Sequence, residues 1–286
     1  MPSHRYRVVD VFTLQPLEGN PLAVFPDGST LSDAAMQAIA KELNLSETVF
    51  LLPPTRSDCA ARLRIFTPTR EMLFAGHPTV GASYVLLDEG IVPRDSVSFL
   101  LEEKIGPVPI RVDSGERPLI WLTTPPIEEG RTYDRGVCAR SLGLAPEDLL
   151  DSPPQFLSAG NPAIYIGLKD KAAVDNAWLD GSGMAELNPK PAEPVCVFVF
   201  APMPDGAYSR MFAPQYGIAE DPATGSSTGP LAAYMRRYGL SAKTRFVSEQ
   251  GTKMGRRSFL HIQIGPGGQI DVGGYVTPLV EATMKF

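Results

Sequence analysis

Gly19-Asn20-Pro21-Leu22-Ala23-Val24-Phe25 returns 141 residues later as Gly160-Asn161-Pro162-Ala163-Ile164-Tyr165-Ile166. Phe66-Thr67-Pro68 and Phe212-Ala213-Pro214 form a second pair, offset by 146. Ala75-Gly76-His77-Pro78-Thr79 and Thr224-Gly225-Ser226-Ser227-Thr228 form a third, offset by 149, each followed by an apolar run. Conserved order with smoothly growing offsets is what a duplication with small insertions leaves behind. The pattern predicts two similar lobes about a pseudo-twofold axis, with two glycine turns that enter helices and face each other across a cleft. A helix amino terminus presents N–H groups without intrahelical partners and the positive end of its dipole, so two of them make a trap for an anion.

Composition supports this plan. A chain of 286 residues can hold two domains of ordinary size, and 43% hydrophobic content can fill their cores. With 26 glycines, 28 prolines and only 20% charged residues, short strands joined by turns are favoured over a helical bundle. The net charge of −6, the pI near 5.2 and the lack of any basic run argue against a nucleic-acid partner. Cys59, Cys138 and Cys196 form no C-x-x-C pair and read as buried free thiols of a reducing compartment. No apolar segment follows the amino-terminal Met-Pro-Ser-His-Arg-Tyr-Arg, and the apolar run 195–201 is too short to cross a bilayer. The expectation is a cytoplasmic protein without a membrane partner.

Along the chain, residues 7–12 and 23–25 read as a hairpin around the Gly19-Asn20-Pro21 turn. Ser32 caps a predicted helix to about Leu43, with Met36, Ile39, Ala40 and Leu43 on one stripe. Strands are predicted over 45–51 and 60–66 and a helix over 78–88, followed by strands near 96–101, 108–112 and 119–123. Thr123-Thr124-Pro125-Pro126 is the best linker. The second half repeats the plan, with helices over 135–144, 171–179 and 227–238. Its strands are predicted over 163–168, 195–201, 209–212, 246–248, 259–264 and 270–272. The lobes are accordingly set at 1–122, completed by the returning segment 275–286, and at 127–274.

A few residues in this frame can carry chemistry. Glu47 shares one face of its strand with Leu45, Val49 and Leu51, a carboxylate on an otherwise apolar face. Burial there raises its pKa towards that of a usable acid/base, whereas pairing with Arg62 or Arg64 would make it structural. His77 stands at a helix start, where the dipole keeps the ring neutral and able to give or take a proton, or where it simply caps the helix or lies exposed. Asp221 precedes the second glycine turn, either as a turn and cap residue or as a functional acid, a role for which its neighbour Glu220 competes. The histidines His4, His77 and His261 are scattered without ligand spacing, so no metal site is expected.

Two other motifs compete. Gly225-Ser226-Ser227-Thr228-Gly229 fits the nucleophile elbow of a serine hydrolase, with Glu249 and His261 following in the right order. The residues before it, 219–223, make a poor strand, and the triad would be squeezed between 227 and 261. Gly265-Pro266-Gly267-Gly268 is a hairpin turn, not a nucleotide-binding loop.

Taken together, six segments resemble the PhzF-type phenazine-biosynthesis family across nearly the whole chain. They are Asp10-Val11-Phe12-Thr13, Gly19-Asn20-Pro21, Leu45-Ser46-Glu47-Thr48-Val49-Phe50, Phe66-Thr67-Pro68, Ala75-Gly76-His77-Pro78-Thr79 and Glu220-Asp221-Pro222-Ala223-Thr224-Gly225-Ser226. The resemblance implies the diaminopimelate epimerase-like fold, two α/β lobes of curled, mainly antiparallel sheet around a central helix. It implies an isomerase in which Glu47 takes and returns a proton, with Asp221, His77, Ser226 and Asn20 around a small carboxylic acid. The amides near Gly76 and Gly225 would hold the carboxylate. Related racemases carry a cysteine in each lobe, where this chain has Ala75 and Thr224, so a two-thiol mechanism is excluded. A cofactor-independent proton shift and a homodimer are the resulting expectations. A carboxylate-binding or scaffold protein of the same fold without turnover is the alternative.

Overall fold

The computed structural model describes residues 2–190 and 194–286. Two compact units make up the chain: Met1–Thr123 with Asp271–Phe286, and Thr124–Ile270. In the first unit, Ser3–Val11 pairs antiparallel with Asn20–Phe25 and with Val276–Lys285. Asn20–Phe25 runs parallel to Glu47–Leu52, which pairs antiparallel with Ala61–Phe66. Next come Ser98–Glu103, parallel, then Gly106–Asp113, Leu119–Thr123 and residues 271–274, each antiparallel to the strand before it.

Two helices cover opposite faces of this sheet. Helix α1 (Asp33–Leu43) starts at Ser32, whose hydroxyl accepts from the Ala35 N–H, and ends at Asn44 in the left-handed region (φ 51°). Its buried Met36, Ile39 and Ala40 pack on Phe25, Phe50 and Phe66. Helix α2 (Gly76–Asp88) lies against the other face and is buried on all sides from Gly76 to Ser83. A helix apolar around its whole circumference belongs in the interior. At Gly81 a Cβ would stand 2.6 Å from a Leu22 methyl and 2.8 Å from a Val11 methyl, so glycine permits the close approach to the sheet. Since Phe50 faces α1, the period of two turns Glu47 and Val49 towards α2.

The second unit has the same connectivity. Gln155–Ser158 pairs antiparallel with Glu128–Thr132 and with Pro162–Gly167, and the latter runs parallel to Cys196–Met203. Gly206–Ala213 follows antiparallel, Arg245–Gln250 parallel, and Ser258–Ile264 antiparallel. Helices α3 (Arg135–Ser141), α4 (Lys171–Asn176) and α5 (Gly181–Leu187) cover one face with Cys138, Val174, Met184 and Leu187. Helix α6 (Gly225–Arg237) takes the place of α2 on the other, with Tyr234 against Tyr165 and Phe200.

Three expectations are corrected. The strand of Glu47 begins at Glu47 itself, not at 45, and both central helices begin two residues early, at Gly76 and Gly225. These glycines and the residues after them are thus helical, because the turn closes on Ala75 and Thr224 as N-caps. Residues 219–223, read as a poor strand, overlap the strand Ile218–Asp221, which pairs with Gly206–Ala213. The division between the two units falls within the expected linker Thr123-Thr124-Pro125-Pro126, where the Thr124 N–H donates to the Ile270 carbonyl before Glu128–Thr132 joins the second sheet.

Candidate active site

In the first unit, Glu47 and His77 converge from a strand end and a helix start. Glu47 Oε2 lies 3.5 Å from His77 Nε2, with the side chains 13% and 4% exposed. The side-chain amide nitrogen of Asn20, the repeated asparagine, lies 3.2 Å from His77 Nδ1. An amide nitrogen only donates, so Nδ1 accepts and the ring proton resides on Nε2, facing the Glu47 carboxylate. Burial holds the His77 pKa down, at about 3. The ring is therefore neutral through the physiological range, and desolvation rather than the helix dipole is the main cause.

The second unit repeats the device with other side chains. The side-chain amide of Asn161 donates to Ser226 Oγ at 3.0 Å, as Asn20 does to His77 at the matching place. Asp221 is 8% exposed and accepts from the Thr224 hydroxyl. Buried Gln250 binds this turn three ways: its amide nitrogen donates to the Asp221 carbonyl and Thr224 Oγ1, and its oxygen accepts from the Thr224 N–H. Neither N-cap residue, Ala75 nor Thr224, caps its helix with a side chain. An α-helix supplies no intrahelical partner for the N–H groups of its first turn, here those of Gly76, His77, Gly225 and Ser226.

The competing assignments separate cleanly. Arg64 binds Glu71 and Asp33, and Arg62 lies 3.9 Å from Glu102, so neither is the partner of Glu47 described here. Glu220 forms a bidentate pair with Arg210 at 2.9 and 2.8 Å, and that guanidinium also donates to three backbone carbonyls. Glu220 is thus held in an ion pair with Arg210, while Asp221 accepts from the Thr224 hydroxyl of the turn. The hydrolase constellation is not assembled. Ser227 is fully buried in α6, which packs on the face of Ser258–Ile264 carrying Ser258, Leu260 and Ile262. His261 alternates onto the opposite face, and Glu249 binds Arg257 and Thr252. Among the described residues no group of three or more His, Cys, Asp or Glu side chains is placed to hold a metal ion.

Asn161, Thr224 and Gln250 lie beyond the site residues that the sequence singles out. Asn161 was legible, being the counterpart of Asn20 in the repeated heptapeptide. Gln250 carries no motif and reaches the turn only because its strand ends there.

The profile of the phenazine biosynthesis-like protein family matches residues 9–276. The chain belongs to this family. It is 36% identical to an uncharacterized isomerase of Mesorhizobium japonicum, with 99% of each chain covered. It is 34% identical to the trans-2,3-dihydro-3-hydroxyanthranilate isomerase of Pseudomonas aeruginosa, over 93% of this chain and 92% of that one. The solved structure of a predicted epimerase from Pseudomonas aeruginosa superposes with a TM-score of 0.85 at 35% identity, covering 99% of each chain. This member of the phenazine biosynthesis-like family is an isomerase with the diaminopimelate epimerase-like fold. No described helix is long and apolar enough to cross a membrane.

Proposed function

We propose that this isomerase moves a proton within a small unsaturated or hydroxylated carboxylic acid, with Glu47 as the single acid/base. The observation that carries the reading is the approach of the Glu47 carboxylate to a neutral, buried His77 whose tautomer Asn20 sets. The carboxylate removes a proton from a C–H beside the double bond. The C–H electron pair becomes a new double bond, and the old one shifts its electrons to its far carbon. Glu47 returns the proton there, on the same face of the substrate, so nothing is oxidised or reduced. The Nε2–H of His77 steadies the anionic base without surrendering its own proton, because a ring with so low a pKa stays neutral.

The first-turn amides at Gly76 and Gly225, together with Ser226 and Asp221, bind the substrate's carboxylate and its polar substituent. The named activity of the Pseudomonas aeruginosa relative makes trans-2,3-dihydro-3-hydroxyanthranilate the first acid to try. Incubation in deuterium oxide with NMR detection should show isomerisation with deuterium incorporated at carbon. Glu47→Gln should lose both, since an amide is no base, and exchange at the wild-type rate in that variant would remove the assignment. Thermal stabilisation by carboxylates with no acid ever converted would instead indicate a binding protein.

A further inference from the structure

A second buried carboxyl lies under the same turn and has no part in the chemistry above. Glu103 is the last residue of Ser98–Glu103 and is 5% exposed. Its Oε1 is 2.5 Å from Thr79 Oγ1, which is also 2.7 Å from the Ala75 carbonyl oxygen. The backbone N–H of Ala75 donates to the same carboxyl, while Oε2 is buried without a hydrogen bond. Proton counting decides the state of this cluster. The Thr79 hydroxyl has one hydrogen, and the Ala75 carbonyl can only accept. Both short contacts are hydrogen bonds only if the Thr79 hydrogen goes to Ala75 and Glu103 brings a proton of its own.

The second unit shows the same joint with a group that is permanently neutral. Gln250 is the last residue of the matching strand, Arg245–Gln250. Its oxygen accepts from the N-cap N–H of Thr224, as Glu103 accepts from that of Ala75. Its amide supplies the donors, one of them to Thr224 Oγ1. Thr228 bonds back to the Thr224 carbonyl at 2.9 Å, as Thr79 does to Ala75.

We propose that Glu103 is the positioning residue of the α2 amino-terminal turn, a neutral carboxyl that holds Ala75 and Thr79, and so Gly76 and His77, as Gln250 holds Thr224. Burial favours the same state and lifts the Glu103 pKa to about 8. The charged groups around it are engaged elsewhere: Arg64 and Lys104 with Glu71, Arg62 beside Glu102, and His77 of α2 is neutral. The carboxyl thus titrates against burial and its contacts with Thr79 and Ala75.

The test does not depend on the substrate. In protein labelled with 13C at the glutamate side-chain carboxyl, the resonance missing from Glu103→Gln identifies Glu103. It should have the shift of a protonated acid at pH 6 and titrate on the alkaline side of neutrality. The imidazole 15N shifts of His77, assigned by His77→Asn, should be unchanged in Glu103→Gln and displaced in Glu103→Ala. With trans-2,3-dihydro-3-hydroxyanthranilate as probe, kcat should fall tenfold or more in Glu103→Ala at little change in KM. Glu103→Gln should stay within threefold of wild type and lose any alkaline decline. An ionised Glu103 at pH 6, or His77 shifts identical in all three proteins, overturns the proposal even if the enzyme turns that acid over. Failure of the probe to react with normal NMR results counts against the substrate assignment alone.

Discussion

His77 and Glu103 should give the first unit opposing pH dependences, and the sum of the two is specific enough to measure. His77 has a pKa near 3 in the folded protein against an ordinary 6.5, so between these values the unfolded chain binds the extra proton. Stability is complete above pH 6.5 and falls as the pH drops towards 3. Glu103 is shifted the other way, to about 8 from 4.5, so there the folded protein holds the extra proton. Its contribution is complete below pH 4.5 and falls as the pH rises through 8. Each pH unit is worth about 1.4 kcal/mol per proton. Between pH 4.5 and 6.5 the two slopes cancel. Outside that plateau, each side loses about 2 kcal/mol over the next 1.5 pH units. Urea titrations followed by Trp121, buried in the first unit, in a Trp178→Phe background would read this profile. Glu103→Gln should flatten the alkaline descent relative to the parent protein, and His77→Asn the acid one. Because only differences in slope are compared, baseline losses from either substitution do not matter. Parallel curves for parent and variant on either side, within about 0.5 kcal/mol, would refute the buried, neutral state assigned to that residue.

Three further outcomes follow from particular contacts. Asn161→Ala should cost roughly 1 kcal/mol of substrate interaction, about a fivefold loss of kcat/KM, through Ser226. Ser226→Ala should add little to it, and fully additive losses in the double variant would show that Asn161 does not act through Ser226. Glu220→Gln should destabilise the protein by about 3 kcal/mol, because it leaves the buried Arg210 without its carboxylate. Activity per folded molecule should hold, whereas Asp221→Asn should lose activity with little change in denaturation midpoint; the reverse result would restore Glu220 as the functional acid. Gly81→Val should destabilise by at least about 1–3 kcal/mol in a chemical-denaturation experiment, since even its Cβ would overlap Leu22 and Val11.

Much of this molecule was legible before folding because duplication writes the same constraint twice. The paired heptapeptides and glycine turns marked the first hairpin and both central helices and singled out Asn20, His77, Gly225 and Ser226, whereas the strand Gln155–Ser158 of the second hairpin was not read. Alternation in residues 45–51 marked Glu47 as a carboxylate on an apolar face. The strand Ile218–Asp221 was illegible because its short, acidic sequence has no strand propensity and is held by pairing with Gly206–Ala213.

By itself, then, the sequence determined the doubled α/β plan and the presence of a helix after each glycine turn, since local periodicity and turn chemistry suffice for these, though not the residue at which each helix begins. Tertiary structure decided which of those residues act together. Arg210 removed Glu220 from contention, and alternation across a sheet separated His261 from Ser227. Burial made His77 neutral, and strand ends far along the chain brought Glu103 and Gln250 beneath their turns. Such pairings depend on distances between segments remote in sequence and on the loss of water around them, and neither is written in any local stretch of residues.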